Sequence, residues 1–156
     1  MKKIGIFYGS TTGTTESVAE QIASHLGVGS SEVYNVGNTD AKVAEEYELL
    51  ILGSSTWGSG ELQDDWYDFK KIALFGCGDA MSFGSTFCDA VGIIYEKLQG
   101  TGATFIGTAD PSDYTYDAST AEIDGQLVGL LIDENNEADK TELRIQNWTD
   151  ALKKEI

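Results

Sequence analysis

The chain has 156 residues, 41% hydrophobic and 10% aromatic, so it is long and apolar enough to fold as one domain with a sizeable core. Its 26 acidic residues against 10 lysines and arginines give a net charge of −16, which disfavours binding to nucleic acid or to an anionic membrane. No segment reaches the length of a membrane span, and the opening apolar run is too short for a signal peptide, so we expect a cytoplasmic protein without a membrane partner.

Strand and helix patterns alternate from the start of the chain. A strand over Lys3–Tyr8 leads into a helix over about Thr14–Leu26, whose apolar residues recur at helical spacing. A second strand over Glu32–Val36 and a short helix around Asp40–Glu46 follow. Tyr47–Gly53 is a continuous apolar run, which is typical of a strand covered on both faces.

The remaining predicted elements are a short crossover helix within 61–71, a strand over Ile72–Phe75, a helix over about Phe87–Leu98, a strand that begins over Thr104–Thr108, and a last helix over about Lys140–Glu155. Ala109–Gln126 is polar and contains the only proline, and apolar residues return at Leu127–Leu131. We therefore interpret Ala109–Gln126 as an excursion that splits the fifth strand in two. The alternation predicts an α/β fold, a doubly wound five-stranded parallel sheet with helices on both faces.

A hydroxyl-rich turn joins the first strand to the first helix. Residues 10–15 read Ser-Thr-Thr-Gly-Thr-Thr, with five hydroxyls and no lysine or arginine. Main-chain N–H groups and hydroxyls at a helix N-terminus favour a bound phosphate. The turn has neither the Gly-Lys-Ser/Thr ending of a triphosphate loop nor the glycine fingerprint of a dinucleotide site. The alternative is an ordinary capped turn, for which one or two hydroxyls suffice.

Two further segments are unusual, and both follow strands at the edge where doubly wound sheets bind ligands. In Thr56–Gly60, Trp57 stands between small residues and offers a flat face to a planar ligand. The alternative is a tryptophan folded back on the end of the sheet. In Gly76–Asp89, glycines allow close backbone approach and Phe83 offers a second aromatic face, whereas Phe87 taken alone is better explained as core.

Together these segments resemble the flavodoxin family over nearly the whole chain. The matching stretches are IGIFYGSTTGTTESVAE, LGSSTWGSGELQDDW, FGCGD, TFCDAVGI and LVGLLIDENNEADKTELRIQNW. The excursion is similar to that of the long-chain type. The resemblance implies a single flavodoxin-like domain over 1–156 with strand order 2-1-3-4-5. It also implies a low-potential one-electron carrier that shuttles electrons between redox proteins through non-covalently bound FMN, and not an enzyme with catalytic residues.

The resemblance further implies which residues bind FMN. Those for the phosphate are Ser10, Thr11, Thr12, Gly13, Thr14 and Thr15. Those on one side of the flavin are Ser55, Thr56, Trp57, Gly58, Ser59 and Gly60. Those on the other side and at the pyrimidine edge are Cys77, Gly78, Asp79, Phe83, Thr86, Phe87 and Cys88. The chain departs from the family pattern at Phe83, where tyrosine is usual, at Ser85, where long-chain members often have aspartate, and in its short third crossover.

The acidic surface favours basic redox partners, both reductase donors and electron acceptors, and we expect a monomer. The alternative function is an FMN-dependent NAD(P)H:quinone reductase, but no arginine or lysine is evident for the pyrophosphate of its second substrate. A phosphorylated receiver is excluded, because Gly9-Ser10 and Ser54-Ser55 stand where it needs aspartates.

Two smaller features receive structural interpretations. The two cysteines are too few for a disulfide scaffold and lack metal-ligand spacing, so we expect buried reduced thiols and no metal site. The acidic run Asp133–Glu137 is interpreted as a solvated loop.

Overall fold

The computed structural model describes residues 3–10, 13–55, 71–101 and 103–156. The strands are β1 Ile4–Gly9, β2 Val33–Asn35, β3 Leu49–Ser55, β4 Lys71–Cys77, β5 Thr104–Ile106, β6 Glu122–Ile123, β7 Gln126–Leu127 and β8 Leu130–Ile132. The α-helices are α1 Thr14–Leu26, α2 Asp89–Leu98 and α3 Ala138–Glu155, and short 3-10 helices cover Ser30–Glu32, Val36–Asn38, Ala41–Glu46, Gly84–Thr86 and Pro111–Asp113. The crossover expected within 61–71 lies, up to residue 70, outside the described residues.

The main sheet is parallel, and its strand order β2-β1-β3-β4-β5 confirms the expected arrangement. The split fifth strand is also confirmed, because β5 pairs with β4 at residues 71–73 and β8 pairs with it at 75–77. Between the two halves, Gly129 passes so close to β4 that a Cβ there would lie 2.3 Å from the Leu74 carbonyl oxygen. This junction therefore requires glycine.

Both faces of the sheet are covered, and each face has its own buried cluster. Helices α1 and α3 cover one face, where the cluster includes Ile6, Ile22, Ile51, Phe75, Ile145, Trp148 and Leu152. Helix α2, Phe87 and parts of the excursion cover the other, where the cluster includes Phe7, Leu50, Leu74, Phe87, Val91, Leu98 and Leu127. Alternate residues of β1, β3 and β4 enter opposite clusters, as the two-residue period of a strand requires.

The first helix, α1, has the predicted bounds, whereas α2 begins two residues later than predicted, at Asp89. The residue before it, Cys88, has a φ of 52°, and Phe87 is extended with a ψ of 118°. These backbone angles end the preceding turn and delay the helix. Phe87 keeps its predicted inward position, with 1% of its surface exposed.

Other boundaries also differ. The strand expected over Thr104–Thr108 ends at Ile106, because Gly107 has a φ of 76° and turns the chain away. The expected second strand, Glu32–Val36, is shorter at both ends, and the short helix around Asp40–Glu46 is a 3-10 helix.

The excursion, Ala109–Gln126, contains a hairpin that the sequence analysis missed. Strands β6 and β7 are antiparallel and are joined by Asp124-Gly125, whose φ angles are 52° and 77°. Two positive φ angles are the signature of a two-residue hairpin turn, and Asp-Gly is a strong local signal for it. An antiparallel bridge between Ala109 and Leu127 fixes the hairpin to the segment that follows β5.

Candidate functional site

The segments predicted to form the site follow strands that end side by side. Gly9 at the end of β1 pairs with Ser54, and Ser55 pairs with Cys77 at the end of β4. Since parallel strands end at one edge of a sheet, the turns after β1 and β4 lie at the same edge. The predicted site residues outside the described ranges are Thr11, Thr12, Thr56, Trp57, Gly58, Ser59 and Gly60, and their roles stay predictions.

The turn after β1 leads into the N-terminus of α1, a position that favours an anion. Gly13 is the N-cap of α1 with a φ of 87°, and its N–H donates to Ser10 Oγ at 3.0 Å. The first N–H groups of a helix have no partners within the helix, and a glycine N-cap supplies no side-chain oxygen for them. Thr14 opens the helix and is half-buried. The turn is therefore suited to hold an anion by N–H groups and the helix dipole.

Thr15 supplies an observation that sequence does not give. Its side chain is fully buried beside the thiol of Cys77, which is a weak hydrogen-bonding group, and in the part of the chain that the structure describes its hydroxyl oxygen makes no well-formed hydrogen bond. A buried hydroxyl without a partner costs about 1–3 kcal/mol. A ligand oxygen at the start of α1 would supply the missing partner, so this residue fits a phosphate-binding turn.

The turn after β4, residues 78–83, is fixed at both ends by main-chain hydrogen bonds. The Gly78 N–H donates to the Ile132 carbonyl of β8 at 2.9 Å, and the Phe83 N–H donates to the Asp79 carbonyl at 2.9 Å. Phe83 is 50% exposed, and the Thr86 N–H donates to its carbonyl at 3.1 Å. The turn thus presents an aromatic side chain at the edge where the sheet's strands end.

Gly78 is required here for a reason other than ligand approach. A Cβ at this position would lie 2.9 Å from both Cys88 Sγ and Phe87 Cδ2. The close approach that glycine allows is therefore to the start of α2, within the chain itself. The turn after β4 and the start of α2 pack directly on each other.

Besides Thr15, three of the predicted site residues in the described ranges have buried side chains. Cys77, Phe87 and Cys88 are at most 7% exposed, and the Phe87 ring stacks on Tyr116 at 5.3 Å. Burial raises the pKa of Cys77 to about 12 and raises that of Cys88, so both thiols stay protonated. The expectation of buried, reduced thiols is confirmed for both. Because their side chains are buried, these three residues would contact a ligand through their main-chain groups.

A hydrogen-bond network beneath the 78–83 turn was missed by sequence reasoning. Asp133, at the end of β8, is fully buried, and its Oδ2 accepts from the Ala80 N–H at 2.9 Å. Its Oδ1 accepts from the N–H groups of Asn135 and Asn136 at 3.1 and 3.0 Å. The interpretation of this run as a solvated loop is thus wrong for Asp133, because three main-chain N–H groups and one side-chain amide replace water around its carboxylate.

Asp79 belongs to the same network. Its carboxylate accepts from the Ser82 N–H at 2.9 Å and from the side-chain amides of Asn136 and Asn135 at 2.9 and 3.0 Å. The bond from Ser82, followed by that from Asn136, lowers the pKa of Asp79 to about 2. Asp79 is therefore ionised at neutral pH and adds negative charge at the turn. The Asn-Asn pair that follows an acidic residue after a buried strand was the available sequence signal.

No helix among the described residues is both long and apolar enough to cross a membrane.

The fold and this edge of the sheet define a doubly wound α/β protein whose first βα turn is suited to hold a phosphate. The chain belongs to the flavodoxin family, since the family model for flavodoxin matches residues 6–148. It is 42% identical to Flavodoxin 1 of Azotobacter vinelandii, covering 100% of this chain and 98% of that one. It is 39% identical to a flavodoxin of Synechocystis sp., over 98% of this chain and 97% of the relative.

Solved structures agree with this assignment. The structure of Fusobacterium nucleatum flavodoxin bound to flavin mononucleotide superimposes with a TM-score of 0.84 at 30% identity, covering 100% of this chain and 99% of that one. The assignment to the long-chain type stays a prediction.

Proposed function

We propose that this chain binds FMN non-covalently and carries single electrons at low potential between redox proteins. The observation that carries the proposal is the turn at the start of α1, where a glycine N-cap and a buried, unsatisfied Thr15 hydroxyl meet at the edge of the sheet. Family membership supports it, and so does the similar Fusobacterium structure with bound flavin mononucleotide. No observation on the described residues favours the quinone reductase alternative.

Two different segments of the chain would bind the two ends of the cofactor. Residues 10–15 would hold the phosphate by hydroxyls and N–H groups, without a cationic side chain. The 78–83 turn would place Phe83 and main-chain groups against the flavin ring. The ring supplies the redox chemistry when bound, and the chain sets its environment.

The charge of the site favours a low potential. The chain has a net charge of −16, and the pKa of Asp79 is lowered to about 2, so its carboxylate is ionised at neutral pH. Negative charge close to a ring that gains electrons opposes the gain, and exclusion of water by aromatic side chains strengthens that repulsion. The same charge would attract basic redox partners to a monomeric carrier and steer their encounter.

The visible absorption spectrum of the purified protein tests the proposal. We expect the spectrum of a bound flavin, release of FMN on denaturation, and one FMN taken up per apoprotein. A colourless protein that does not take up FMN would overturn the proposal. Oxidation of NAD(P)H by the purified protein alone would instead favour the reductase.

Thr15→Val tests the phosphate end. The variant keeps the shape of the side chain and removes the hydroxyl, so FMN affinity should fall about tenfold while riboflavin, which lacks the phosphate, binds unchanged. Thr141→Val is the matched control, because Thr141 is also buried with an unsatisfied hydroxyl in the described part of the chain but lies in α3. An equal loss for both flavins would remove Thr15 from the phosphate site.

The partner proposal is tested by ionic strength. We choose salt concentrations from about 10 to about 300 mM. Electron transfer from the reduced protein to a basic haem protein should slow over this range, because screening weakens the long-range attraction between the two proteins. A rate independent of salt would contradict docking by charge.

A further inference from the structure

Asp133 and Asn136 connect the start of α3 to the 78–83 turn. Asp133 Oδ2 holds the Ala80 N–H, and the Asn136 amide donates both to Asp133 and to Asp79, each at 2.9 Å. From Asp79, one bond leads to the Ser82 N–H and another to the Phe83 N–H. Asp133 thus fixes Ala80 directly, and Asn136 is linked to Ser82 through the Asp79 carboxylate.

We propose that Asp133 and Asn136 are positioning residues for the flavin ring, which they place by fixing the 78–83 turn, and that they have no part in binding the phosphate. The proposal rests on the proposed function. It assigns to a buried carboxylate and its neighbour a role in ring affinity and reduction potential, although neither is among the residues expected to touch the cofactor.

The two oxygens of Asp133 have separable tasks. Oδ1 accepts the N–H groups of Asn135 and Asn136 and so shapes the turn before α3. Oδ2 accepts the Ala80 N–H and reaches across to the other turn. Both groups that face Oδ2 are N–H donors, from Ala80 and from the Asn136 amide. An amide NH2 in its place would bring donor against donor and break the link to the 78–83 turn.

The charges of Asp79 and Asp133 provide a second measurable quantity, the reduction potential of the flavin. Asp79 and Asp133 are joined by one neutral amide, and among the described residues neither forms an ion pair with lysine or arginine. Two carboxylates beside the ring that keep their position should hold the potential of the flavin down. A turn that moves, or a carboxylate that is removed, should raise it.

Asp133→Asn is the sharpest test because it keeps the shape and Oδ1 and changes Oδ2 into a donor. We expect the affinities for FMN and for riboflavin to fall together, by about tenfold, and the midpoint potential of the second electron to rise. Asp40→Asn is the matched control. Asp40 accepts the main-chain N–H of Lys42, two residues on, at 3.0 Å, as Asp133 accepts that of Asn135, and its variant loses the same charge outside the site segments. It should leave both affinities unchanged.

Asn136→Ala keeps the test informative if Asp133→Asn does not fold. Asn136 is exposed, so its truncation should be tolerated, and it should lower both flavin affinities by a smaller, equal factor. Loss of FMN affinity with unchanged riboflavin affinity would overturn the proposal. So would lower stability of the apoprotein with both affinities and potentials unchanged, which is the result for a purely structural network. Failure of the wild type to bind FMN would instead refute the proposed function.

Discussion

Two buried charged side chains near the beginning of α3 hold neighbouring segments of the chain, but by different chemistry. Asp133 holds the 78–83 turn, and every group bound to its carboxylate is a neutral N–H donor. Arg144 holds the excursion, and it binds two carboxylates, a carbonyl and an aromatic ring. An anion held by neutral dipoles in fixed directions defines a position, whereas a cation held by anions adds the attraction between opposite charges.

The Arg144 cluster joins α3 to Asp113 and Tyr114 of the excursion. Its Nε lies 3.0 Å from Asp113 Oδ2 and its Nη2 lies 2.7 Å from Glu137 Oε2, while its guanidinium lies 3.9 Å from the centre of the Tyr114 ring. The side chain is 6% exposed, and its Nη1 has no hydrogen-bond partner within the described ranges. Lys140 binds the same two carboxylates from a more exposed position. Arg144 and Lys140 therefore allow the effect of burial on stability to be compared for two cations that bind the same carboxylates.

Arg144→Met should give the largest effect on stability. It removes the buried charge and leaves Glu137 and Asp113 with Lys140 alone, so we expect a loss of about 2 kcal/mol in the free energy of unfolding, measured in urea. Lys140→Met, the control, removes ion pairs at a position 36% exposed and should cost clearly less, because solvent screens exposed pairs. Equal losses for the two variants would show that burial does not distinguish them. Proteolysis of the excursion should accelerate in Arg144→Met only.

Tyr114→Phe separates the ring from the hydroxyl in the same cluster. The hydroxyl donates to the Leu131 carbonyl of β8 at 2.8 Å, and the ring carries the guanidinium of Arg144. Removal of the hydroxyl keeps the ring contact, so we expect a loss of about 1 kcal/mol in unfolding free energy. Tyr116→Phe is the control, because that hydroxyl binds the exposed Glu122 and its loss should cost less. A larger loss for Tyr116→Phe would contradict this assignment.

The comparison of Asp133 and Arg144 also shows which features of the fold and the site can be predicted from the sequence. The bounds of α1, the strand order and the split of the last strand follow from local patterns and from one resemblance, and the structure confirms them. The role of residues 10–15 in holding a phosphate stays a prediction, made from hydroxyls and a glycine that lie next to one another in the sequence. The burial of Asp133 was not predictable, since it depends on the N–H of Ala80, 53 positions away in the chain. The sequence around a charged residue in an acidic run does not indicate which distant groups will bond to it in the folded chain.

Acid should weaken the ion pairs of the Arg144 cluster but should leave the carboxylate of Asp79 ionised. Burial opposes ionisation of Asp113 and Glu137, but hydrogen bonds from Arg144 and Lys140 outweigh it and lower both pKa values from 3.8 and 4.5. Folding therefore lowers these pKa values, so the stabilisation is complete above about pH 4.5 and is lost as the pH falls through the lowered values.

The expected measurement is the difference in unfolding free energy between wild type and Arg144→Met in urea at pH 6, 4 and 3, which we choose to bracket that window. The difference should narrow as the pH falls, by less than about 1 kcal/mol because Asp113 is 57% exposed. Comparing the two proteins cancels the remaining carboxylates, which acid neutralises equally in both. The pKa of Asp79 is lowered to about 2, so its carboxylate in the wild type stays mostly ionised over this range. A constant difference for Arg144→Met would show that its ion pairs do not supply the stability of the excursion.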